Sequence, residues 1–533
     1  QLATGLNNRI ANSGVAQRSG GDLKTMRLAQ SCNAEYANYF GATSASQVSL
    51  VLAAFNATLT RCNGVYEKDL ALHLNLVAAS TSVIYYNPST DPYSTTLSSW
   101  NLSLQQALTA NVGSGNYDIG HMFGASGGGG NAGCIGCVCV NPANNNSLAK
   151  GAGITSPADG IPQGDNFDID YVVHEVGHQL GANHTFSYAN ESTGVNKEVG
   201  SGITIMGYAG ITAYDVAAHS IEFYHQASIA QIQANLATKT CPVTTSIAGA
   251  NATPVVNAVS NYTIPISTPF ALTGSASDAD GDALTYSWEQ NDNSTVTGAN
   301  SKASPTKTTG PNWISFRPTT SPTRLFPQLS TILAGGLTTG PLAGGDAGTT
   351  IEALSSVSRT LNFRLTVRDN APYSSTVPVS VGQSQFTDMV VTVSNTSGPF
   401  AVTAPNTNVT WAGNSSQTIT WAVANTTASP VSCANVKISL STDGGLTFPT
   451  VLIASTPNDG SQAVTIPATP STTARIKIES VGNIFFDISN TNFTIGGAVA
   501  CGDPAGLASS AITTSSATLS WSAVSGANNY DVD

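Results

Sequence analysis

The stretch His174-Glu175-Val176-Gly177-His178-Gln179-Leu180-Gly181-Ala182-Asn183-His184 places three histidines and a carboxylate in one short run. On a helix His174 and His178 stand at i and i+4, so both imidazoles project from one face. Gly181 permits a sharp turn where a side chain would resist, and that turn returns His184 as a third ring. Three neutral imidazole nitrogens in a tripod suit Zn2+ and leave its fourth position for water, the arrangement of a catalytic zinc site. Glu175 would stand beside that water as general base, taking a proton as the water attacks a carbonyl. The chain has 7 His and, by count, nine Glu. With so few of either, the whole pattern arises by chance in on the order of two chains in a million. A helix with unrelated surface histidines is therefore the weaker reading.

Those side chains need a scaffold. Phe167–Leu180 reads as their helix, with Asp168 or Asp170 as its N-cap and Gly181 as its stop. Ser46–Cys62 carries Val48, Leu52, Phe55, Leu59 and Cys62 at helical spacing and closes at Gly64. Leu70, Leu72, Leu74 and Leu76 alternate with Ala71, His73 and Asn75, the pattern of a half-buried strand. Tyr117–Phe123 reads as another strand, before the glycine run Gly127–Gly130 breaks the pattern. A last helix, about Ser228–Lys239, aligns Ile229, Ile232 and Leu236. All seven histidines precede residue 226. Residues 21–242 thus form an α/β domain behind an N-terminal segment, 1–20.

After Pro242 the helical pattern ends. Thr244–Pro254 reads as a linker. Strand-like runs follow, among them Ala283–Trp288, Leu361–Val367 and Met389–Val393, then Ser416–Ala422, Val436–Leu440 and Arg475–Ile478. Short strands between Pro, Gly, Asn and Asp suit immunoglobulin-like sandwiches, here 253–396 and 398–497. The expected fold class is therefore multidomain, an α/β catalytic domain followed by all-β sandwiches.

The 533 residues allow three to four domains at about 150 residues each. Only 9% are charged and the net charge is −12. That argues against nucleic acid, whose phosphates need clustered Lys and Arg, and against a polybasic membrane contact. No apolar run is long enough to span a membrane. Eight cysteines, an even number, fit disulfides and export. Cys134, Cys137 and Cys139 crowd together like half a zinc knuckle, but no second pair follows. The chain starts at Gln1 without a signal pattern, as expected of a processed, secreted, extracellular form.

With these residues in view, the chain resembles the metzincin clan of zinc endopeptidases, whose extended motif is HExxHxxGxxH followed by a Met-turn. Ser201-Gly-Ile-Thr-Ile205-Met206-Gly207-Tyr208 looks like that turn. The resemblance implies that Met206 forms an apolar floor beneath the histidines and binds no zinc. Asp165–His174, Ser201–Gly210 and Arg27–Gly41 are most similar to bacterial secreted relatives of the reprolysins, or adamalysins, over residues 21–242. One departure is Thr185, where reprolysins carry Asp directly after the third histidine. Tyr208 stands two residues after Met206, a spacing that resembles astacins and serralysins; a phenol there would donate a hydrogen bond to the oxyanion, and a packed wall Tyr is the other reading. By order along the chain, Asn131–Gly136 matches the clan's cleft-lining edge strand, to which a peptide adds as a further strand. The resemblance implies a Cys139–Cys241 disulfide. Cys32 with Cys62 and Cys134 with Cys137 are the pairings left in this domain, and sequence establishes neither. His121, His219 and His225 lack ligand spacing and read as structural or surface residues.

Downstream, Asp278-Ala-Asp280-Gly-Asp282 resembles cadherin-like and polycystic-kidney-disease-type modules. Alternate Asp side chains around a Gly turn, with Asp369 from a neighbouring loop, could hold Ca2+; a solvated turn is the alternative. Trp288, Trp313, Trp411, Trp421 and Trp521 read as core. Residues 502–533 resemble the opening strands of a fibronectin type III domain, which would continue past this chain.

The expected function is a secreted endopeptidase with one catalytic Zn2+ and protein or peptide substrates, whose β modules serve as spacers or adhere to substrate or surface. The rival readings are an adhesin array with the protease part as scaffold, and a narrow-specificity processing enzyme or toxin. Nothing in the sequence selects the substrate.

Overall fold

A computed structural model describes residues 20–498, 504–524 and 530. The expected N-terminal segment lies outside them apart from Gly20. The chain is an α/β domain followed by β structure, and it divides into two compact units. The first comprises residues up to 261 together with 272–326 and 338–393; the second comprises 262–271, 327–337 and 394–533.

The first unit is built on strands β1 (Asp22–Cys32), β2 (Leu72–Leu76), β3 (Ile119–Phe123), β4 (Gly129–Asn131), β5 (Gly153–Ser156) and β6 (Val243–Ser246). Their order is β2-β1-β3-β5-β4, with β6 pairing antiparallel to the start of β1. β2, β1, β3 and β5 run parallel, while β4 closes one edge antiparallel to β5. The helices are α1 (Ala34–Tyr39), α2 (Val48–Leu70), α3 (Trp100–Asn111), α4 (His174–Leu180) and α5 (Gln226–Leu236).

Strand alternation divides the apolar side chains between two faces. Ile119 and Phe123 join Phe55 and Tyr66 of α2, Val176 and Leu180 of α4, and Ile232 of α5. Met122 and Ala29 join Trp100, Leu104 and Leu108 of α3 in a separate cluster. The helix expected to close at Gly64 runs on to Leu70, because Val65, Tyr66 and Leu70 continue its buried face. It stops where Ala71 turns left-handed.

Antiparallel strands Thr285–Gln290, Arg359–Arg368 and Ser384–Ser394 belong to this same unit. Two contacts show why the chain after 253 packs with the α/β part. Arg368 Nε donates to Asp69 of α2 at 2.6 Å, with both side chains buried. Val199, Ile203, Val216, Ile221 and Phe223 share one apolar cluster with Ala303, Ile314, Ile351 and Ala353. Trp288 and Trp313 are buried, as expected.

In the second unit, Ala401–Ala404, Ser416–Ala422 and Ser461–Thr465 make one sheet. Asn435–Ser441, Ser471–Ser480 and Phe493–Ala498 lie in another. Ile419, Trp421, Ile438 and Ile476 are buried between polar alternates. Ala508–Ser510 and Thr518–Ser520 form an exposed hairpin; the rest of the fibronectin-like stretch lies largely outside the described residues. Among the described residues no helix is long and apolar enough to cross a membrane.

Candidate metal centre

The helix carrying the histidines is not one regular element. Residues Asn166–Val173 form a π-helix that passes into α4. Such a widened turn recurs at functional sites. Neither expected N-cap serves. Asp165 occupies the cap position, without a side-chain cap bond, and its carboxylate is held by Arg61. Asp168 is buried inside the helix, where desolvation pushes its carboxyl up to about 6 against a hydrogen bond from Thr58. Asp170 accepts from His219 Nδ1 at 2.7 Å and from Ser220 N at 2.9 Å.

Helix α4 ends at Gly181, whose φ of +127° needs a glycine; a Cβ there would also strike Asn235. Asn235 of α5 donates to Leu180 O at 2.7 Å and fixes the end of the helix. Just beyond, the chain delivers His184.

The tautomers of the three buried rings follow from their acceptors. His174 Nδ1 lies 2.6 Å from Ile205 O, and His178 Nδ1 lies 2.7 Å from Ala182 O. His184 Nδ1 lies 3.0 Å from Glu191 Oε2. Carbonyl and carboxylate oxygens only accept, so each Nδ1 carries its proton and each Nε2 exposes a lone pair. One ligand nitrogen from each ring lies within 4.8 Å of those of the other two. His174 Nε2 is buried with no hydrogen-bond partner, and His178 Nε2 faces His184 Nε2 at 2.9 Å. Three lone pairs converging in a buried space suit a cation. Burial, then the other rings, holds His174 down to about 3 and His178 well below the usual histidine range. Neutral imidazole is the form that ligates.

Glu175 is buried beside them. Desolvation pushes its carboxyl up to about 8, opposed by the backbone N–H of Ala132. A Cβ at Gly130 would overlap the Glu175 carboxylate, so that glycine lets β4 run directly over the base. The edge strand is therefore Gly129–Asn131, not Asn131–Gly136. Residues after it fold into a turn, pinned by Gly136 N to His178 O at 2.9 Å and by the Cys134–Cys137 disulfide.

Met206 is fully buried, and a Cβ on Gly177 would come within 2.7 Å of its sulfur. The thioether therefore lies against the helix at Gly177, beside His178. Tyr208 is half-buried, its ring centroid 4.5 Å from that of His184 and 5.4 Å from that of His174. Burial first, then the Glu175 carboxylate, raises its phenol well above the ordinary value.

Other residues were not legible in the motif. Gln179 donates to Gly120 O at 3.0 Å, and its Oε1 lies 2.8 Å from His121 Nδ1. The other ring nitrogen of His121 lies 2.9 Å from Thr155 Oγ1, so this buried pair ties α4 to β3 and β5. Glu198 is buried and accepts from Thr185 Oγ1 at 2.6 Å, from Ile203 N at 2.8 Å and from Thr204 N at 3.0 Å. Glu191 reaches the third ring. An alternation of apolar residues signals none of these; the scarcity of Glu draws the eye to Glu191 and Glu198 alone. His225 is buried 3.8 Å from Glu289, and His219 pairs with Asp170 at the surface.

The disulfides are Cys134–Cys137 and Cys139–Cys241. Cys32 and Cys62, expected as a pair, are separate buried thiols. Cys62 points its sulfur at Asp168 O, 3.7 Å away, while Cys32 ends β1 in the core. Asp278, Asp280 and Asp282 bring one oxygen each within 4.8 Å. Asp278 Oδ1 already accepts from the backbone N–H groups of Asp280 and Asp282, and Asp369 is taken by Gln383, Ala371 and Asn251. Those bonds describe a self-capped turn.

Residues 23–237 match the family described as metallo-peptidase family M12B, reprolysin-like. A search of curated proteins finds no match. Among solved structures, the tandem Ig repeats of Dlar match at 11% identity, covering 45% of this chain and 96% of that one, with a TM-score of 0.22. The fibronectin(III)-like modules of CbhA from Clostridium thermocellum match at 12% identity, covering 46% and 94%, with a TM-score of 0.15. Scores that low assign nothing to this chain.

Proposed function

We propose, on the match of residues 23–237 to the reprolysin-like M12B metallopeptidase family, that the chain is a secreted zinc endopeptidase acting on extracellular proteins. The observation that supports it best is the convergence of the Nε2 lone pairs of His174, His178 and His184 beside the buried Glu175. Bound there, Zn2+ would supply a Lewis acid for the peptide carbonyl and a water acidic enough to ionise near neutral pH.

The protein's own groups then divide the work. The outer edge of β4, which pairs only with β5 among the described strands, adds an extended peptide as a further strand. Glu175, whose carboxylate form a bound Zn2+ would favour, takes the proton of the attacking water and returns it to the leaving amine. The Tyr208 hydroxyl donates to the developing oxyanion. Two disulfides suit an oxidising, extracellular setting. We retain 21–242 as the catalytic segment and 398–497 as a spacer or adhesive sandwich. Calcium at Asp278, Asp280 and Asp282 is a separate proposal, supported only by their proximity. A chelator-induced drop in melting temperature that Asp280→Ala abolishes would support it; an unchanged melt removes it.

The decisive experiment is metal analysis with casein hydrolysis on the full chain. One zinc per chain, activity abolished by 1,10-phenanthroline, and Glu175→Gln that keeps zinc but loses at least about a thousandfold in turnover are expected. Zinc retained with cleavage intact in Glu175→Gln would refute the mechanism.

A further inference from the structure

Beside Glu175 opens a cavity bounded on one side by the helix residues Asn166, Asp170 and Tyr171 and on the other by residues 207–211 and 218–220 of one segment, 207–220. That second wall contains no helix or strand. Left alone, such a segment would not hold a fixed pocket shape. Besides its bonds to Ser201, it is held by two other parts of the chain. On the helix side Ser220 N donates to Asp170. On the far side it is fastened to a loop more than a hundred residues further along the chain. Leu342 N donates to Val216 O at 2.9 Å, and Ala218 N donates to Ala343 O at 3.3 Å. Asp346 N donates to Asp215 O at 2.9 Å, and Asp215 N donates back to the Asp346 carboxylate at 2.9 Å.

The sequence of that loop suits the contact. A Cβ on Gly345 would stand 2.8 Å from the Val216 carbonyl, and one on Gly344, at φ +77°, would strike Ala218 Cβ. Two adjacent glycines therefore let one backbone approach the other. Behind them Val216, Ala217 and Ile221 share a buried cluster with Ile314, Ile351 and Ala353.

We propose that Leu342–Asp346 is a positioning element of the peptidase site, a clamp that sets the shape of the pocket receiving a substrate side chain. Specificity is then written partly outside the segment that carries the zinc motif. The β structure of residues 272–326 and 338–393 is a working part of the enzyme and not a tether. This rests on the peptidase reading above.

Asp346→Ala in the full chain removes the side-chain half of the reciprocal pair; Asp346→Asn keeps an oxygen acceptor. Three readouts are compared: cleavage preference on a mixed peptide library, KM against kcat, and hydrogen exchange of the amides of residues 215–220. Asp346→Ala should raise KM about tenfold, the loss of roughly one hydrogen bond, and flatten preference at the substrate position that fills the pocket. Zinc content and kcat should hold within about threefold, exchange at 215–218 should quicken, and Asp346→Asn should restore wild-type values. Unchanged exchange overturns the clamp. Faster exchange with an unchanged cleavage preference overturns its role in specificity. If the zinc-loaded wild type cuts no peptide, the peptidase reading fails on its own; faster exchange in Asp346→Ala then still supports the clamp.

Discussion

His178 Nε2 lies 2.9 Å from His184 Nε2, although each ring has already committed its Nδ1 proton to an oxygen. Two lone pairs face each other, an arrangement that only a cation makes favourable. The oxygen serving His184 is the one carboxylate of the three acceptors, Glu191. A carboxylate raises the basicity of a ligating imidazole and fixes its orientation. Glu191→Ala should therefore weaken zinc binding about ten- to hundredfold, as read by chelator competition, with activity regained at excess zinc. Glu191→Gln, which keeps an acceptor, should lose less. Equal affinity in wild type and Glu191→Ala would remove Glu191 from the site.

Thr185 departs from the Asp of the reprolysin pattern, yet a carboxylate still stands beside it. Glu198 accepts from Thr185 Oγ1 and from the amides of Ile203 and Thr204, joining the residue after the third ligand to the turn that carries Met206. Glu198→Ala strands several buried donors at once. It should cost about 3–5 kcal/mol in unfolding free energy and weaken zinc binding as well, because Met206 and His184 lose their common brace. A denaturant midpoint unchanged within about 0.5 kcal/mol would show that the network contributes nothing.

What the sequence made legible was local. His174, His178, His184 and Glu175 occupy one helix and one turn, so spacing alone brings them together. The alternation Leu72–Leu74–Leu76 and the face Val48–Leu52–Phe55–Leu59–Cys62 were readable for the same reason. Illegible were relations that span the chain. Nothing in periodicity pairs Asp69 with Arg368 or Val216 with Leu342, and a separate sandwich over 253–396 was the natural expectation. In the sequence Gly130 only ends a glycine run that breaks the strand pattern. Only the overlap of a Cβ there with Glu175 shows that the glycine leaves room for the base. Cys32 and Cys62 are left over together in the sequence, which does not establish the pair, and they are separate buried thiols, with Cys62 turned to Asp168 O.

Arg368 and Asp69 form a buried ion pair between a β strand and α2, and Asp69 also accepts from Tyr224 N at 2.6 Å. Removing one member leaves an uncompensated buried charge, which typically costs about 3–5 kcal/mol. Arg368→Ala should fall in that range by urea unfolding. Because the pair lies inside one compact unit, Trp100 of α3 and Trp313 should report the same midpoint in wild type. Two separated transitions would show that the α/β part and the strands fold independently.

Glu289 and His225 are buried 3.8 Å apart, and their titrations oppose each other. Burial pushes Glu289 up to about 8; Arg368 pulls it down and Glu198 pushes it up, while Gln226 N and Ser315 hydrogen-bond to it. His225 is held down to about 3 by burial and by Lys197 and Arg364. In the folded chain both are therefore neutral near pH 7. Between the unfolded carboxyl value near 4.5 and about 8, the folded state keeps a proton on Glu289 that the unfolded chain releases. Its contribution to stability is thus complete below about 4.5 and is lost as pH rises through 8. His225 acts oppositely, costing stability as pH falls from about 6.5 toward 3. Glu289→Gln keeps the neutral shape without the proton. Denaturant midpoints measured from pH 5 to 9 should show wild type losing stability relative to Glu289→Gln as pH rises, with the gap levelling off above about 8. Parallel curves across that range would mean that Glu289 binds the same number of protons folded and unfolded, and that the buried pair is not neutral.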